Sequence, residues 1–118
     1  MNPVVLAFVG DAVYTLFVRE RLALSLKVKT GELDRRTAEI VSAHGQSERL
    51  NQILPLLTEE EEDIFKRGRN AKKPTKSKNA SVAEYVRSTG FEALLGFLYL
   101  TGQTERMEEL LFKDGADE

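Results

Sequence analysis

The sequence predicts an all-α single domain, and three observations carry that prediction. Apolar residues recur at helical spacing, or on nearly every side, through most segments, while period-two alternation is weak throughout. Helix-opening patterns punctuate the chain at Asn2 with Pro3, at Thr58 with Glu61 and at Ser81 with Glu84. At 118 residues the chain is near the commonest domain size and long enough to bury roughly two-thirds of its unfolded surface.

Taken in order, Asn2 and Pro3 suit the N-cap and first turn of a helix whose apolar residues run on nearly all sides to Leu26, so this helix is expected to be largely buried. Lys27, Lys29 and Gly31 mark its other end. A second helix is expected over about 32–54, with Leu33, Ile40, Val41, Leu50, Ile53 and Leu54 forming one apolar stripe among many charges. Gly45 is its candidate kink and Pro55 its limit. Thr58 with Glu61 fits a capping box opening a third helix, and Ser81 with Glu84 fits another opening a fourth, with a loop between them. After Ser88, Thr89 and Gly90, the segment FEALLGFLYL (91–100) continues or restarts as a helix, and a last helix is expected over 105–113, beyond Gly102. The expected core covers about 4–111, with a basic loop at 70–80 and a frayed tail at 114–118. No internal repeat and no separate linker interrupts the single domain.

Composition narrows the chemistry. Hydrophobic residues at 42% and charged residues at 31% are ordinary for a globular protein and too apolar for a disordered one. The absence of Cys removes disulfides, thiolate metal sites and a Cys nucleophile. A single histidine, His44, gives a zinc site or a Ser-His-Asp triad little to work with. Oxygen ligands remain. The apolar opening (3–18) has no basic n-region and carries Asp11 at its centre, so it reads as a core helix and not as a signal peptide. No segment approaches the ~20 uninterrupted apolar residues of a membrane span, so the expected location is cytoplasmic with no membrane partner.

Two acids stand inside apolar stretches: Asp11 in LAFVGDAVYTLFV (6–18) and Glu92 in GFEALLGFLYL (90–100). Desolvating an unpaired carboxylate costs several kcal/mol, so a metal ion, a basic side chain or a raised pKa is expected to compensate. Helical geometry puts Ala7 on the face of Asp11 and Thr89 beside Glu92. If the two acids converge they offer a small hard-oxygen site suited to Mg²⁺, which keeps several waters and takes substrate phosphate oxygens. The alternatives are that Asp11 pairs with a buried arginine such as Arg87, or that both acids face solvent at helix ends.

Charge gives the second signal. Lys66, Arg67, Arg69, Lys72, Lys73, Lys76 and Lys78 fall in one window without an acid, leaving 10 basic residues against 19 acidic ones and the rest of the chain at −9. A polyanion is therefore expected to meet the protein at this window. The helix dipole accounts for acids at 59–63 followed by Lys66, Arg67 and Arg69, but it does not reach Lys72, Lys73, Lys76 and Lys78.

These residues carry a resemblance. LAFVGDAV (6–13) is similar to the signature helix of the ribonuclease III endonucleases, and FEALLGFLYL (91–100) to their second acidic helix. KRGRNAK (66–72), followed by Lys78 and Asn79, resembles more narrowly the Mini-ribonuclease III subfamily, which consists of the catalytic domain without a double-stranded-RNA-binding domain. The likeness covers about 4–111.

The resemblance implies a helical bundle forming a two-fold homodimer that cleaves both strands of double-stranded RNA with Mg²⁺, or with Mn²⁺ in its place. It also implies a role in maturation of precursor 23S ribosomal RNA, with a ribosomal protein as possible assistant. Carried over, Asp11 and Glu92 match the family's catalytic, metal-holding acids. The larger ribonuclease III enzymes place a Glu at the position of Ala7 and an Asp at that of Thr89, and the subfamily resembles this chain in lacking both. A site with two acids is expected to hold metal less tightly and to need more Mg²⁺, with Thr89 left to orient a water. Arg69, Asn70, Lys72, Lys73, Lys78 and Asn79 are the candidates for gripping the duplex backbone, because double-stranded RNA is read largely by shape and through phosphate and 2′-OH contacts. Such binding is expected to be salt-sensitive.

Dimerisation has a further reason in the sequence. Phe91, Ala93, Leu94, Leu95, Phe97, Leu98, Tyr99 and Leu100 make a helix apolar on most sides, which is either a surface for a second copy or simply a central core helix. His44 reads as an exposed or capping residue, Tyr14 as core, and Gln46 as a polar contact without an assigned role. The rival function is a non-catalytic double-stranded-RNA-binding or ribosome-associated module with the same fold.

Overall fold

Helix formation begins where Asn2 and Pro3 place it. In a computed structural model, which describes residues 1–25, 29–71 and 82–112, the Asn2 side chain accepts from the Val4 N–H at 2.7 Å and opens α1 (Pro3–Ser25). Pro3 sits in the first turn, where its missing N–H costs nothing. At the other end of the chain, α5 (Val82–Leu100) runs through the Ser88-Thr89-Gly90 segment without a break. It is the centre of the molecule: Phe91, Ala93, Leu94, Leu95 and Leu98 are 0% exposed.

The remaining helices pack around α5. They are α2 (Thr30–Val41), α3 (Ala43–Ile53), α4 (Glu59–Ala71) and α6 (Thr104–Phe112), and the described residues contain no strand. Helices α1 and α4 make the broadest contacts with α5, α3 closes a third side, and α2 leans on α1 and α3. Gly102, with φ of 76°, supplies the left-handed residue that ends α5 and lets α6 turn back. The core joins Val13 and Val18 of α1, Leu50 and Ile53 of α3, Phe65 of α4 and Met107 and Leu110 of α6 to the inner face of α5.

Three expectations are corrected. The helix expected over 32–54 is two helices, because Ser42 takes an extended conformation (φ −63°, ψ 163°) and its Oγ accepts from the Gly45 N–H at 3.0 Å, capping α3. A serine that bonds the backbone locally competes with helix continuation. Gly45 is not a kink but the seat for the end of α2: a Cβ there would lie 2.4 Å from the Ile40 carbonyl oxygen. Pro55 follows α3 in a short 3-10 turn, Leu54–Leu56.

The second correction concerns α1, which is not largely buried. Only Leu6, Ala7, Gly10, Val13, Tyr14 and Val18 are buried, while Phe8 is 80% and Leu16 60% exposed. The third concerns α5, whose apolar sides are consumed inside the protomer; of its large apolar residues only Val82, Tyr99 and Leu100, at its two ends, are exposed. The central-core alternative holds for α5, and the surplus apolar surface belongs to α1.

The Thr58 capping box forms as expected. The Thr58 N–H donates to Glu61 Oε1 at 2.9 Å and the Glu61 N–H to Thr58 Oγ1 at 3.1 Å. Ser81 of the second expected box, Lys113 of the last helix and the 114–118 tail lie outside the described residues. Among the described residues no helix is long and apolar enough to cross a membrane.

Candidate active site

Glycine brings the two helices that carry Asp11 and Glu92 into contact. A Cβ on Gly10 would lie 1.7 Å from the Glu92 carbonyl oxygen, and one on Gly96 would lie 2.0 Å from the Leu6 carbonyl oxygen. At this crossing α1 and α5 touch main chain to main chain, which only residues without a side chain permit. Asp11, next to Gly10, and Glu92 are thereby carried on the same crossing of α1 and α5. Asp11 is exposed and Glu92 half-buried. Asp11 lies mid-helix and its exposure removes the desolvation cost expected for it; Glu92 is the acid that needs a partner.

Arg87, the alternative partner for Asp11, is engaged elsewhere. Its guanidinium reaches across to α3, donating from Nε to Ser47 Oγ at 3.0 Å, from Nη2 to the Ser47 carbonyl at 3.2 Å, and also to Asn51 Oδ1. Glu92 accepts from Gln46, whose Nε2 lies 3.0 Å from Glu92 Oε2 and 2.9 Å from the Val41 carbonyl oxygen. Gln46 is 2% exposed, and its Oε1 is buried without a hydrogen-bond partner. The sequence did hold a signal for this residue: Gln46, Leu50 and Ile53 fall at i, i+4 and i+7, so a polar side chain sits on the buried stripe of α3. A polar group there must find a partner.

The positions beside the acids are not acidic and do not behave alike. Ala7 is buried in a small apolar cluster with Leu6 and Ala93. Thr89 is buried too, and its hydroxyl donates to the Tyr85 carbonyl oxygen at 3.2 Å, so only its lone pairs are left for any water.

Helix α4 ends against this stretch of α5. A Cβ on Gly68 would lie 2.6 Å from Ala93 Cβ and 2.9 Å from Gly90 Cα, so the end of α4 presses on the stretch of α5 that contains Glu92. Arg69 holds its guanidinium 5.7 Å from the centroid of the Phe65 ring and donates from Nε to Asn70 Oδ1 at 3.2 Å; Asn70 is exposed. Lys66 and Arg67 pair back along the helix with Glu62 at 3.9 Å and Asp63 at 3.1 Å. Lys72, Lys73, Lys76, Lys78 and Asn79 lie outside the described residues.

His44 and Tyr14 fall where the sequence placed them. The His44 imidazole is exposed, with Nδ1 2.8 Å from Glu84 and Nε2 3.6 Å from Glu48, and its hydrogen bond to Glu84 lifts its pKa above the usual value. Tyr14 is buried edge-on against Phe91, with centroids 5.1 Å apart, and burial pushes its phenol up to about 12 against the opposing effect of Arg49.

Among the described residues no three His, Cys, Asp or Glu side chains gather as a metal cluster. The donor set on offer is the two carboxylates of Asp11 and Glu92. Both supply hard oxygens, and a set this small fits a cation that keeps much of its own water.

Comparison with known proteins decides the family. A model of the ribonuclease III domain matches residues 4–103. The Mini-ribonuclease 3 of Symbiobacterium thermophilum is 50% identical over 111 residues, covering 94% of this chain and 85% of the relative, and that of Thermoanaerobacter sp. is 45% identical, covering 94% and 78%. The chain belongs to the ribonuclease III family, in its Mini-ribonuclease III branch. A crystal structure of a Fusobacterium nucleatum protein superposes on this ribonuclease III domain with a TM-score of 0.83 at 31% identity, covering 94% of this chain and 88% of the other. Ribonuclease III enzymes are metal-dependent and act on double-stranded RNA, and this member is an endoribonuclease.

Proposed function

We propose that the chain cleaves double-stranded RNA by Mg²⁺-assisted phosphodiester hydrolysis, with Asp11 and Glu92 as the metal-holding acids, in the maturation of precursor 23S ribosomal RNA. The observation that carries this reading is the main-chain contact of Gly10 with Glu92. It supports convergence of two acids from different helices, one open to solvent and one braced by a buried amide.

When bound, Mg²⁺, or Mn²⁺ in its place, supplies Lewis acidity toward the scissile phosphate and toward water. The chain's own residues then have separable tasks. Asp11, exposed, and Glu92, half-buried at the helix crossing, are the two acids that would hold the cation. Ala7 contributes an apolar wall where a third acid would stand, so the site leans on few protein ligands and a high Mg²⁺ requirement follows. In this reading no side-chain general base is needed. Arg69 and Asn70 grip the duplex backbone, joined by Lys72, Lys73, Lys78 and Asn79 of the same basic segment. A cytoplasmic location and assistance from a ribosomal protein belong to the same reading.

The active unit in this reading is a homodimer, in which two sites face one duplex and each protomer cuts one strand. Its support is α1: Phe8, Ala12 and Leu16, spaced at i, i+4 and i+8, are all exposed, with Val5 47% exposed beside them. Such a stripe is costly to leave in water.

The test is a denaturing-gel assay on long double-stranded RNA, with and without Mg²⁺, comparing the wild type with Asp11→Asn and Glu92→Gln. Metal-dependent cutting that disappears in both folded variants is the expected result. A wild type that binds the duplex and never cuts it, across metals and salt, would leave a binding module with the same fold.

A further inference from the structure

Gln46 occupies a position that folding alone would not assign to glutamine. It lies on the buried stripe of α3, 2% exposed, with an amide oxygen that has no hydrogen-bond partner. A buried polar atom left unpaired costs stability, and an apolar side chain of similar volume would not incur that cost. Its amide nitrogen, in contrast, is fully used. Both groups it meets, the Val41 carbonyl and the Glu92 carboxylate, are acceptors, so the NH₂ end must face them and the orientation of the amide is fixed.

The local fold is shaped around this contact. Val41 is the last residue of α2, and the break at Ser42 leaves its carbonyl free of the helical ladder and able to anchor the amide. One N–H is thus tied to the end of α2 and the other to the acid on α5. The chemistry of the donor also matters. A lysine or arginine there would compete with a divalent cation for the same carboxylate, and an acid would repel Glu92. A neutral amide holds the carboxylate and leaves its full charge for the cation.

We propose that Gln46 is a positioning residue of the active site, fixing the Glu92 carboxylate for metal binding through its side-chain amide. The proposal rests on the reading of Asp11 and Glu92 as metal-holding acids and deepens it.

The experiment compares wild type with Gln46→Leu, a near-isosteric change that removes both donor and orphan acceptor. Mn²⁺ affinity is measured on the RNA-free protein by electron paramagnetic resonance, and cleavage is measured as a function of Mg²⁺ and of RNA. The expected result is a 10- to 100-fold loss in Mn²⁺ affinity, roughly what loss of a carboxylate's outer partner produces, with a raised Mg²⁺ midpoint and an unchanged KM for RNA. On the wild type, the side-chain amide ¹H–¹⁵N signal of Gln46 is expected to shift as Mg²⁺ is added, which keeps the test independent of how the variant folds. A folded Gln46→Leu protein with wild-type Mn²⁺ affinity and Mg²⁺ midpoint, or a Gln46 amide signal unmoved by saturating Mg²⁺, overturns the role of Gln46 alone. A wild type that neither binds Mn²⁺ nor cuts RNA overturns the underlying reading as well.

Discussion

Glu61 is the residue on which one corner of the molecule depends. Its carboxylate takes the Thr58 N–H within the capping box and is gripped by Arg106 of α6, Nε to Oε2 and Nη2 to Oε1 at 2.8 Å each. Arg106 also donates to the Leu56 carbonyl at 2.8 Å and pairs with Glu109. The Arg106 contact, with lesser help from Thr58, holds the Glu61 carboxyl below its usual 4.5 against the opposing effect of burial. A carboxyl depressed in the folded state stabilises above its unfolded pKa and loses that contribution as pH falls through the folded value. Arg106→Leu leaves a buried carboxylate short of its cation and is expected to cost about 3 kcal/mol at neutral pH. Urea unfolding should then find the gap between wild type and variant closing below about pH 4.5, where Glu61 protonates in the unfolded chain; a gap constant down to pH 3 would refute this account. The capping half of the arrangement was legible in the sequence because its partners are three residues apart. The Arg106 half was not, since it joins residues 45 apart that only the return of α6 brings together. Gln46 and Glu92, 46 residues apart, escaped assignment for the same reason.

Elements show the same division between local and distant causes. Capping and apolar period located the starts of α1, α4 and α6 within a residue, and α5 was legible from its apolar run. The break at Ser42 was missed because the stripe continues in register through α2 and α3, and only the side-chain cap and the close seat of Gly45 against Ile40 divide them. Where helices touch through glycine, tolerance is small. Gly68→Ala places a methyl 2.6 Å from Ala93 Cβ and 2.9 Å from Gly90 Cα, so α4 must move off α5. The expected cost is about 1–3 kcal/mol in urea unfolding, the usual range for overpacking. An unchanged midpoint would mean that α4 sits more loosely than described. His44 forms a second kind of tie, bonding the first turn of α3 to Glu84 in the first turn of α5. Its pKa is raised by the Glu84 hydrogen bond, and then by the charges of Glu48 and Glu84. A group raised in the folded state stabilises fully below its unfolded value and loses that contribution as pH climbs through the folded value. His44→Gln is therefore expected to lower the melting temperature below about pH 6.5 and to match wild type above pH 8. A difference that persists at pH 9 would assign the effect to packing.

At the scale of the whole molecule, the apolar surplus of α1 is the feature a single protomer leaves unexplained. The sequence registers that surplus faithfully, yet periodicity cannot say whether an apolar face meets its own core or another chain. That is why α5 looked like the exposed helix and α1 like the buried one. Phe8→Glu puts a charge at the centre of the α1 stripe. It is expected to sediment as a monomer at concentrations where the wild type is dimeric, and to keep its helical circular dichroism. A monomeric wild type would end the homodimer reading. The remaining feature, the contact of Gly10 with Glu92, has a genetic meaning. The spacing of the two proposed acids is set by main-chain atoms at a helix crossing, so it does not drift as the side chains around it change. The same fact makes failure at this point indivisible. In a screen for abundant but inactive protein, changes at Asp11 and Glu92 should be recovered freely, and changes at Gly10 should not, because a side chain there removes the protein from the cell together with its activity.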